Sequence, residues 1–206
     1  QVAGALTFNS NGTVSGNLSF NDITAQSPQG GTAITGGTWA DDGSGTGRVV
    51  VTGATDGTTF SYNLTLYETG DGHATVLSMD GGDMVVGLGW AQASSLGVST
   101  LTGTYALDIN QFSTGVEADG DGQVTANAAA LSLAGFLDEN GSLLSGAGLL
   151  PNNPLNATYS GSASSPIISI TGGGGSVFTL YLIDATQGVV IENDSSQLSL
   201  GYVTNQ

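Results

Sequence analysis

The feature that most constrains the fold is an internal repeat. Residues 75–92 read TVLSMDGGDMVVGLGWAQ and residues 189–206 read VVIENDSSQLSLGYVTNQ, and the two align without a gap at an offset of 114. Each segment contains an apolar strand, an acidic turn residue, a second apolar strand, a glycine and a closing glutamine. The repeat predicts two tandem modules, residues 1–92 and 101–206, joined by a linker at 93–100.

Upstream segments extend the repeat. Alternating apolar residues match as Phe60, Tyr62 and Leu64 with Phe178, Leu180 and Leu182, and Thr38-Trp39 matches Thr158-Tyr159. Near the front, residues 5–17 (ALTFNSNGTVSGN) match residues 115–127 (GVEADGDGQVTAN). Both are predicted to be hairpins, because Asn-Gly and Asp-Gly tolerate the positive φ of a two-residue turn.

The spacing of apolar and turn residues predicts an all-β fold. The chain has 34 glycines, which lie between short runs rich in Val, Ile, Leu, Thr and Tyr. About seven to nine short antiparallel strands per module would form either a barrel or a two-sheet sandwich, and the pattern does not choose between them. The Ala-rich run Ala126–Leu133 is predicted to be strand, and the Pro-containing insertion Leu143–Asn156 to be a loop.

The two modules differ at their starts. The second module opens with a predicted strand, Gly103–Asn110, whose Tyr105, Leu107 and Ile109 lie on one face. The first module has no counterpart, because Gln1 falls only four residues before the matching hairpin strand. We therefore expect the first module to lack its opening strand.

An incomplete sheet exposes a row of backbone N–H and C=O groups and uncovers part of a core. Val2, Leu6 and Phe8 border the missing strand and are the predicted interface residues. If the mature chain starts at Gln1, a strand from another subunit is the simplest filler, as in β-strand addition. If residues precede Gln1, they would supply the strand instead. Repeated head to tail, this contact would build an open filament.

Composition excludes several classes of function. The chain carries 17 acidic residues against one basic residue, Arg48, and its net charge is −16. Nucleic-acid binding and attachment to anionic membranes both depend on Lys and Arg, so neither is expected. There is no cysteine, and no apolar run approaches the roughly 18 residues of a membrane helix. An acidic coat of this kind favours an extracellular location.

Residues with catalytic chemistry are scarce. His73 is the single histidine, it lies in a Gly-rich turn, and no G-x-S-x-G motif occurs. We expect no catalytic residues, no bound organic cofactor and no enzymatic activity. Asp119 and Asp121 bring oxygen ligands together in an expected Asp-Gly-Asp-Gly turn, which makes them candidate calcium ligands, although an EF-hand spacing is absent.

Three segments carry a resemblance to a known group of proteins. GTYALDI, AGALTFNSNGTVSG and VVIENDSSQLSLGYVTNQ resemble the opening strand, hairpin and closing strands of β-repeat modules about 100 residues long. Those modules occur in large secreted proteins of acidobacteria and related soil bacteria. The resemblance implies a secreted, tandem, β-rich protein, and it implies no activity.

Two functions are consistent with these features. The first is a non-enzymatic subunit of an extracellular fibre or surface assembly, which self-associates into a homopolymer through strand complementation. The second is a stalk or adhesin segment of a larger secreted cell-surface protein. Trp and Tyr residues leave carbohydrate binding open in the second case, although their alternation with apolar neighbours favours positions in the core.

Overall fold

A computed structural model describes residues 1–21, 29–81, 85–113, 116–141, 148–194 and 197–206. The described residues form β-strands and contain no α-helix, so the expected all-β class is confirmed. No helix in this part of the chain has the length and apolarity to cross a membrane. In chain order the strands are β1 (Val2–Phe8), β2 (Val14–Phe20), β3 (Gln29–Ile34), β4 (Gly36–Asp41), β5 (Arg48–Thr55), β6 (Ser61–Glu68), β7 (His73–Ser78), β8 (Val86–Trp90), β9 (Gly103–Ser113), β10 (Val116–Asn127), β11 (Ser132–Gly141), β12 (Leu149–Gly161), β13 (Ile167–Gly172), β14 (Val177–Leu182), β15 (Gln187–Glu192) and β16 (Leu198–Asn205).

The strands form three sheets. Strands β9 to β16 form a closed antiparallel barrel in chain order, in which β16 pairs with β9. Strands β1, β2 and β3 form a three-stranded sheet, and β4 to β8 form a five-stranded sheet in chain order. One isolated bridge joins Thr13 to Thr38, beside the bond from the Trp39 N–H to the Gly12 carbonyl oxygen. Among the described residues, the two smaller sheets therefore have open edges, whereas the barrel has none.

Two compact units divide the chain. The barrel unit comprises Gln1–Ala3, Ser19–Gly30 and Gln92–Gln206. The open-sheet unit comprises Gly4–Leu18 and Gly31–Ala91. The boundary of these units therefore crosses strands β1, β2 and β3.

The barrel interior is the largest apolar core. Tyr105, Leu107 and Ile109 of β9 point into it, as the period of two predicts, and all three are buried. The buried Tyr159 hydroxyl donates a hydrogen bond to the Leu101 carbonyl oxygen at 3.0 Å. Burial of apolar side chains from every strand of a closed sheet stabilises the barrel without leaving an unpaired edge.

The predicted linker at 93–100 contains no strand, and part of it packs on the barrel. Leu96 belongs to the barrel core, and the Ala93 N–H donates to the Ile183 carbonyl oxygen at 2.8 Å. The Gln92 side-chain amide also donates to the Leu182 carbonyl oxygen.

Two side chains near the front of the chain lie on the outer face of the barrel, within the barrel unit. The hydroxyls of Ser19 and Tyr181 are 2.7 Å apart. The Asn21 amide donates to the carbonyl oxygens of Glu192 and Gln197 at 3.1 and 3.0 Å. Ser19 and Asn21 are 0 % and 3 % exposed, so these contacts are shielded from water.

A hydrogen-bond pattern recurs between the two units at the offset of 114. Asp80 accepts a bond from the Asn63 N–H at 2.8 Å, and Asp194 accepts one from the Val177 N–H at 3.0 Å. The N–H of the residue before each aspartate donates back to the carbonyl oxygen of Asn63 or Val177, at 2.7 Å in both cases. The same turn thus closes β6 against β7 and β14 against β15.

The strand registers correct one of the sequence alignments. Leu64 pairs with Ser78, and Phe178 pairs with Glu192, so the ladders make Leu64 the counterpart of Phe178. The match of Phe60 with Phe178 is therefore wrong by four residues. The match of Trp39 with Tyr159 agrees with the ladders, which pair these residues with equivalent positions of β5 and β13.

The predicted hairpin at 115–127 is also wrong. Val116–Asn127 is one continuous strand, β10, which pairs with β9 on one side and β11 on the other. The hairpin turn lies at 128–131, within the run Ala126–Leu133 that was expected to be strand throughout. The turn at Asn9–Gly12 corresponds to this later turn, and residues 5–17 do not correspond to 115–127.

The insertion Leu143–Asn156 was expected to be a loop. Residues 149–156 instead begin β12, which pairs with β11 and contains a register shift opposite Leu137 and Glu139. Residues 143–147 of this insertion lie outside the described part of the chain. The prolines at 151 and 154 did not prevent strand formation.

Candidate functional site

The first feature of interest is the open edge of β1. Asn21 and Gln1 exchange backbone hydrogen bonds at 3.0 and 2.9 Å, and the Asn9 N–H donates to Thr13, so the odd-numbered residues of β1 face β2. In an antiparallel strand the intervening residues point their N–H and C=O groups the other way. The predicted interface residues Val2, Leu6 and Phe8 are all even-numbered and direct these groups to the open edge.

Sequence reasoning missed a second open edge, on β8. The Ser78 N–H donates to the Val85 carbonyl oxygen at 2.7 Å, and the Ala91 N–H donates to Gly72 at 2.6 Å, so the odd-numbered residues face β7. The backbone groups of Val86 and Leu88 point away from β7. In strand order β8 is the last strand of its sheet, as β1 is of its own.

In the barrel, β9 occupies the position between the counterparts of these two edges. β9 pairs with β10 on one side and with β16 on the other. By the ladders and the repeat, β10 is the counterpart of β1 and β16 is the counterpart of β8. By this correspondence, a strand equivalent to β9 would pair with β1 on one side and with β8 on the other, and we call these two open edges the seam.

Gly87 lies in this seam and has an informative counterpart, Gly201. A Cβ at Gly201 would collide with the Asp108 carbonyl oxygen and would lie 3.0 Å from the Ile109 Cα, both in β9. A Cβ at Gly87 would meet no atom within 4 Å. The barrel requires glycine at this position because of β9, whereas the described part of the open-sheet unit has no contact that requires it.

Inward-facing residues beside the seam are less buried than their barrel counterparts. In β1 and in β10, one glycine lies so near the next strand that a Cβ there would collide with its backbone. Aligning these two glycines makes Leu6 the counterpart of Val124 and Phe8 the counterpart of Ala126. Val124 and Ala126 are buried, whereas Leu6 is half-buried and Phe8 is 39 % exposed. Phe8 packs edge-on against Trp39 with ring centroids 5.5 Å apart.

The candidate calcium ligands lie in a different setting from the one predicted. Asp119 and Asp121 belong to the continuous strand β10, so the Asp-Gly turn that suggested calcium is absent there. Asp121 lies directly opposite Asp108 on β9 and Asp138 on β11, which makes a row of carboxylates on the outer surface. Within the described ranges no group of three or more His, Cys, Asp or Glu is placed to hold a metal ion.

This acidic row borders a shallow depression on the barrel surface. Asp108, Asp121 and Tyr202 line it together with backbone and small side chains. Burial, and then the negative charge of Asp108, raise the pKa of the Tyr202 hydroxyl. The depression offers oxygen groups and no basic residue, so it has no cation to bind an anionic ligand.

His73 is exposed, and it is the first residue of β7. Its Nδ1 lies 2.9 Å from Asp71, and its ring meets Trp90 edge-on at 6.5 Å. The Thr69 hydroxyl and then His73 hold the pKa of Asp71 at about 2. These contacts organise the turn between β6 and β7.

Most tyrosines considered for stacking on a sugar are core residues. Tyr105, Tyr159 and Tyr181 are 1 %, 3 % and 3 % exposed. Burial raises the pKa of Tyr181 to about 12, although its bond with Ser19 opposes this. Such rings cannot stack on a saccharide without local opening of the sheet.

Comparisons with known proteins assign no family. No protein-family model matches the chain, and none of the curated proteins matches it significantly. Among solved structures, the chain is similar to a protein of unknown function from the DUF3598 family of Nostoc punctiforme, with 11% sequence identity. The match covers 100% of this chain and 88% of that one, with a TM-score of 0.31. A similarity at this TM-score carries no functional inference.

Proposed function

We propose that this chain is a non-enzymatic structural subunit of an extracellular fibre or surface assembly. In this proposal it consists of two tandem β-modules, and a β-strand from a neighbouring molecule completes the first. The observation that carries the proposal is Gly87. A Cβ at Gly87 would contact no atom, whereas a Cβ at its counterpart Gly201 would collide with the backbone of β9.

The two open edges support a donated strand. An inserted strand would hydrogen-bond to the even-numbered residues of β1 on one side and to those of β8 on the other, as β9 bonds to β10 and β16. It would also cover Leu6 and Phe8, which face the interior of the open-sheet unit. Removal of this apolar surface from water favours insertion by about 25 cal/mol per Å².

The recurrent turn supports the tandem arrangement. Asp80 and Asp194 make the same hydrogen bond 114 residues apart, and the ladders on either side have equivalent registers. If the units descend from one module, the strand that the first requires resembles β9. That strand has the sequence GTYALDINQFS, with Tyr105, Leu107 and Ile109 pointing inward.

Peptide binding tests this proposal. A fluorescent peptide of sequence GTYALDINQFS is titrated into the full chain, and its binding is followed by fluorescence anisotropy against a scrambled peptide. We expect saturable 1:1 binding that raises the thermal stability of the open-sheet unit. Filaments of the untreated chain, visible by electron microscopy, should shorten as the peptide occupies the seam.

A matched pair of substitutions on β8 supplies the control. Gly87→Val places a side chain where the barrel has β9, so it should abolish peptide binding without destabilising the isolated chain. Gly89→Val reproduces Val203, which the barrel accommodates beside β9, so it should preserve binding. Equal binding by both variants, or no binding by the parent chain, would contradict the proposal.

The alternative function is a stalk or adhesin segment in which another part of the same polypeptide supplies the strand. The same peptide would then bind, but the chain with its strand supplied would remain monomeric and form no filaments. Sedimentation of the peptide-saturated chain together with electron microscopy of the untreated chain separates the two functions.

A further inference from the structure

The outer face of β14 and β15 in the barrel is covered by protein. Tyr181 and Ile191 on this face are 3 % and 0 % exposed. Ser19 and Asn21 supply part of the cover through the hydrogen bonds described above. A Cβ at Gly30 would lie 3.1 Å from the Asn193 amide, so the backbone there also approaches this face. All of these residues belong to the barrel unit.

The equivalent face of the open-sheet unit is more exposed, although Thr65 opposite Leu77 is buried. The ladders make Tyr67 the counterpart of Tyr181 and Leu77 the counterpart of Ile191. Tyr67 and Leu77 are 44 % and 42 % exposed, and Met79, which stands where the barrel has Asn193, is 56 % exposed. We call Arg48, Tyr67, Leu77 and Met79 the outer face.

The counterparts of Ser19 and Asn21 are two exposed residues of β11, one of which, Asp138, accepts a hydrogen bond from the Asn152 N–H at 2.6 Å. A Cβ at Gly16 or at Gly135 would collide with the carbonyl oxygen of the facing strand, so these glycines align β2 with β11. This alignment makes Asp138 the counterpart of Ser19 and Asn140 the counterpart of Asn21. Both are exposed in the barrel unit.

Apolar side chains surround Asp138 and Asn140. Phe136 is 58 % exposed, and Leu149, which pairs with Asn140, is 62 % exposed. We call Phe136, Asp138, Asn140 and Leu149 the barrel end. Exposed apolar side chains grouped in this way on an acidic protein mark an interaction surface.

We propose that the barrel end of one copy docks on the outer face of a second copy. The contact would reproduce between molecules the cover that Ser19 and Asn21 provide inside the barrel unit. Asn140 would donate to the backbone carbonyl oxygens of Ser78 and Asp80, the counterparts of Glu192 and Asp194. The inference deepens the proposed assembly function and rests on it, but the contact does not use the seam between β1 and β8.

Charge is complementary across this contact. Arg48, the single basic residue of the chain, lies opposite Tyr67 in the β5–β6 ladder, with its guanidinium carbon 6.0 Å from the ring centroid. It contacts Asp42 at 3.4 Å and has further N–H donors in its fork. Docking would bring Asp138 close to Tyr67 and Arg48. The counterpart of Asp138 in the contact inside the barrel unit is Ser19, which is neutral.

Apolar complementarity accompanies the charge. Inside the barrel unit the backbone at Gly30 meets Asn193, a polar contact with little side-chain area. Between copies, Leu149 and Phe136 would instead meet Leu77 and Met79. The contact between copies would thus be apolar where the contact inside the barrel unit is polar. An apolar contact suits an interface between molecules, since burial of exposed apolar area drives association.

The contact has a direction. The barrel end and the outer face are different surfaces, so a contact between them is heterologous. Each copy uses one surface to bind the next copy and the other to bind the previous copy. Such contacts form open chains unless the rotation between copies closes a ring.

Complementation between two blocked variants tests the inference. Both carry Gly87→Val, which closes the seam, so strand donation cannot hold them together. One adds Leu77→Glu to block the outer face, and the other adds Leu149→Glu to block the barrel end. We expect each alone to sediment as a monomer and a mixture to form a 1:1 dimer, because one intact surface of each kind remains.

A charge exchange sharpens the test. Arg48→Glu should weaken association of the Gly87→Val parent about 10-fold, and Asp138→Arg in the partner should restore it, measured by sedimentation equilibrium. Leu131→Glu, an exposed leucine outside both surfaces, is the control and should leave association unchanged.

The outcomes separate the two proposals. A Gly87→Val parent that stays monomeric, or blocked variants that still polymerise, would overturn the docking contact. Titration of the unsubstituted chain with the peptide tests strand complementation independently, because it measures peptide binding at the seam and not association between copies.

Discussion

Thr65 and Thr179 occupy equivalent positions in the two units but differ in their hydrogen bonds. The Thr179 hydroxyl accepts a bond from the Asn193 amide, whereas the buried Thr65 hydroxyl has no partner among the described residues. The difference has a simple cause, because Met79 stands where the barrel has Asn193. A buried hydroxyl without a partner costs free energy that its counterpart does not.

Substitution of the two threonines by valine should therefore have opposite effects. Thr65→Val removes an unsatisfied hydroxyl at nearly constant volume and should raise the free energy of unfolding by about 1 kcal/mol. Thr179→Val leaves the Asn193 amide without its acceptor and should lower it by about 1 kcal/mol. Urea unfolding followed by tyrosine and tryptophan fluorescence measures both, and changes of the same sign would contradict the explanation.

Sequence alone could not determine which residues of β6 correspond to which residues of β14. Phe60, Tyr62 and Leu64 alternate with polar residues, and any even shift along a strand preserves that alternation. The period of two therefore could not distinguish Phe60 from Leu64 as the counterpart of Phe178. Turn hydrogen bonds fix the register, and they become visible only when both strands are placed.

The turn after β7 and the turn after β15 are stabilised by the same kind of hydrogen bond to an aspartate. The Asp80 carboxylate accepts bonds from the N–H and the side-chain amide of Asn63, and Asp194 accepts one from the Val177 N–H. The aspartate thus joins the end of one strand to the start of the strand before it. Sequence comparison predicted an acidic turn here but not its bonding partner.

Replacement of this carboxylate should weaken the element. Asp194→Ala leaves the Val177 N–H without a charged acceptor and should lower the free energy of unfolding by about 1–2 kcal/mol. Asp194→Asn keeps a side-chain oxygen and should cost less. Thermal unfolding followed by circular dichroism measures both, and an alanine variant as stable as the parent would show that the bond is dispensable.

The predicted hairpin at 115–127 is wrong because Asp and Gly, which are typical of turns, can also occur within a paired strand. Asp-Gly-Asp-Gly is typical of a hairpin turn, yet here it lies within a long strand paired on both sides. A Cβ at Gly122 would collide with the Phe136 carbonyl oxygen, so this glycine permits a close approach of strands. A single sequence does not distinguish a glycine that turns from one that lets a neighbour approach.

At the scale of the whole molecule, the net charge opposes the proposed assembly. Each copy carries −16 at neutral pH, and copies of one sign repel. The sequence pI is about 4.1, so acidification removes the repulsion. Hydrogen bonds to several turn carboxylates persist in this range: Thr69 and His73 hold the pKa of Asp71 at about 2, and N–H groups following Asp56 outweigh its desolvation and keep its pKa far below the ordinary value.

Association should therefore increase as the pH falls from 7 to about 4.5, where the fold is retained. Because the folded pKa of Asp71 is depressed, its stabilising contribution is present above the unfolded value near 4. That contribution is lost only as the pH falls toward 2. Light scattering measures association and circular dichroism measures folding. Weaker association at pH 4.5 than at pH 7, with the fold intact, would contradict this balance.

The all-β class and the strand β9 could be predicted from sequence, because period-two alternation and turn residues are local signals. Closure of the barrel could not, since it depends on the pairing of β16 with β9, whose residues are far apart in the chain. The open edge of β1 was predicted from a comparison of module starts. The matching edge of β8 was missed because an edge strand has the same local pattern as an interior one.

The closed ladder of β9 to β16 has a consequence for the kinetics of assembly. A barrel with every strand paired on both sides offers no template for an incoming strand, so in the proposed assembly the acceptor would lie in the open-sheet unit alone. We expect such polymers to have two unlike tips, one ending in a vacant acceptor and one in an unused donor. Short strand peptides should then act as terminators at one tip, which sets filament length by the ratio of peptide to subunit.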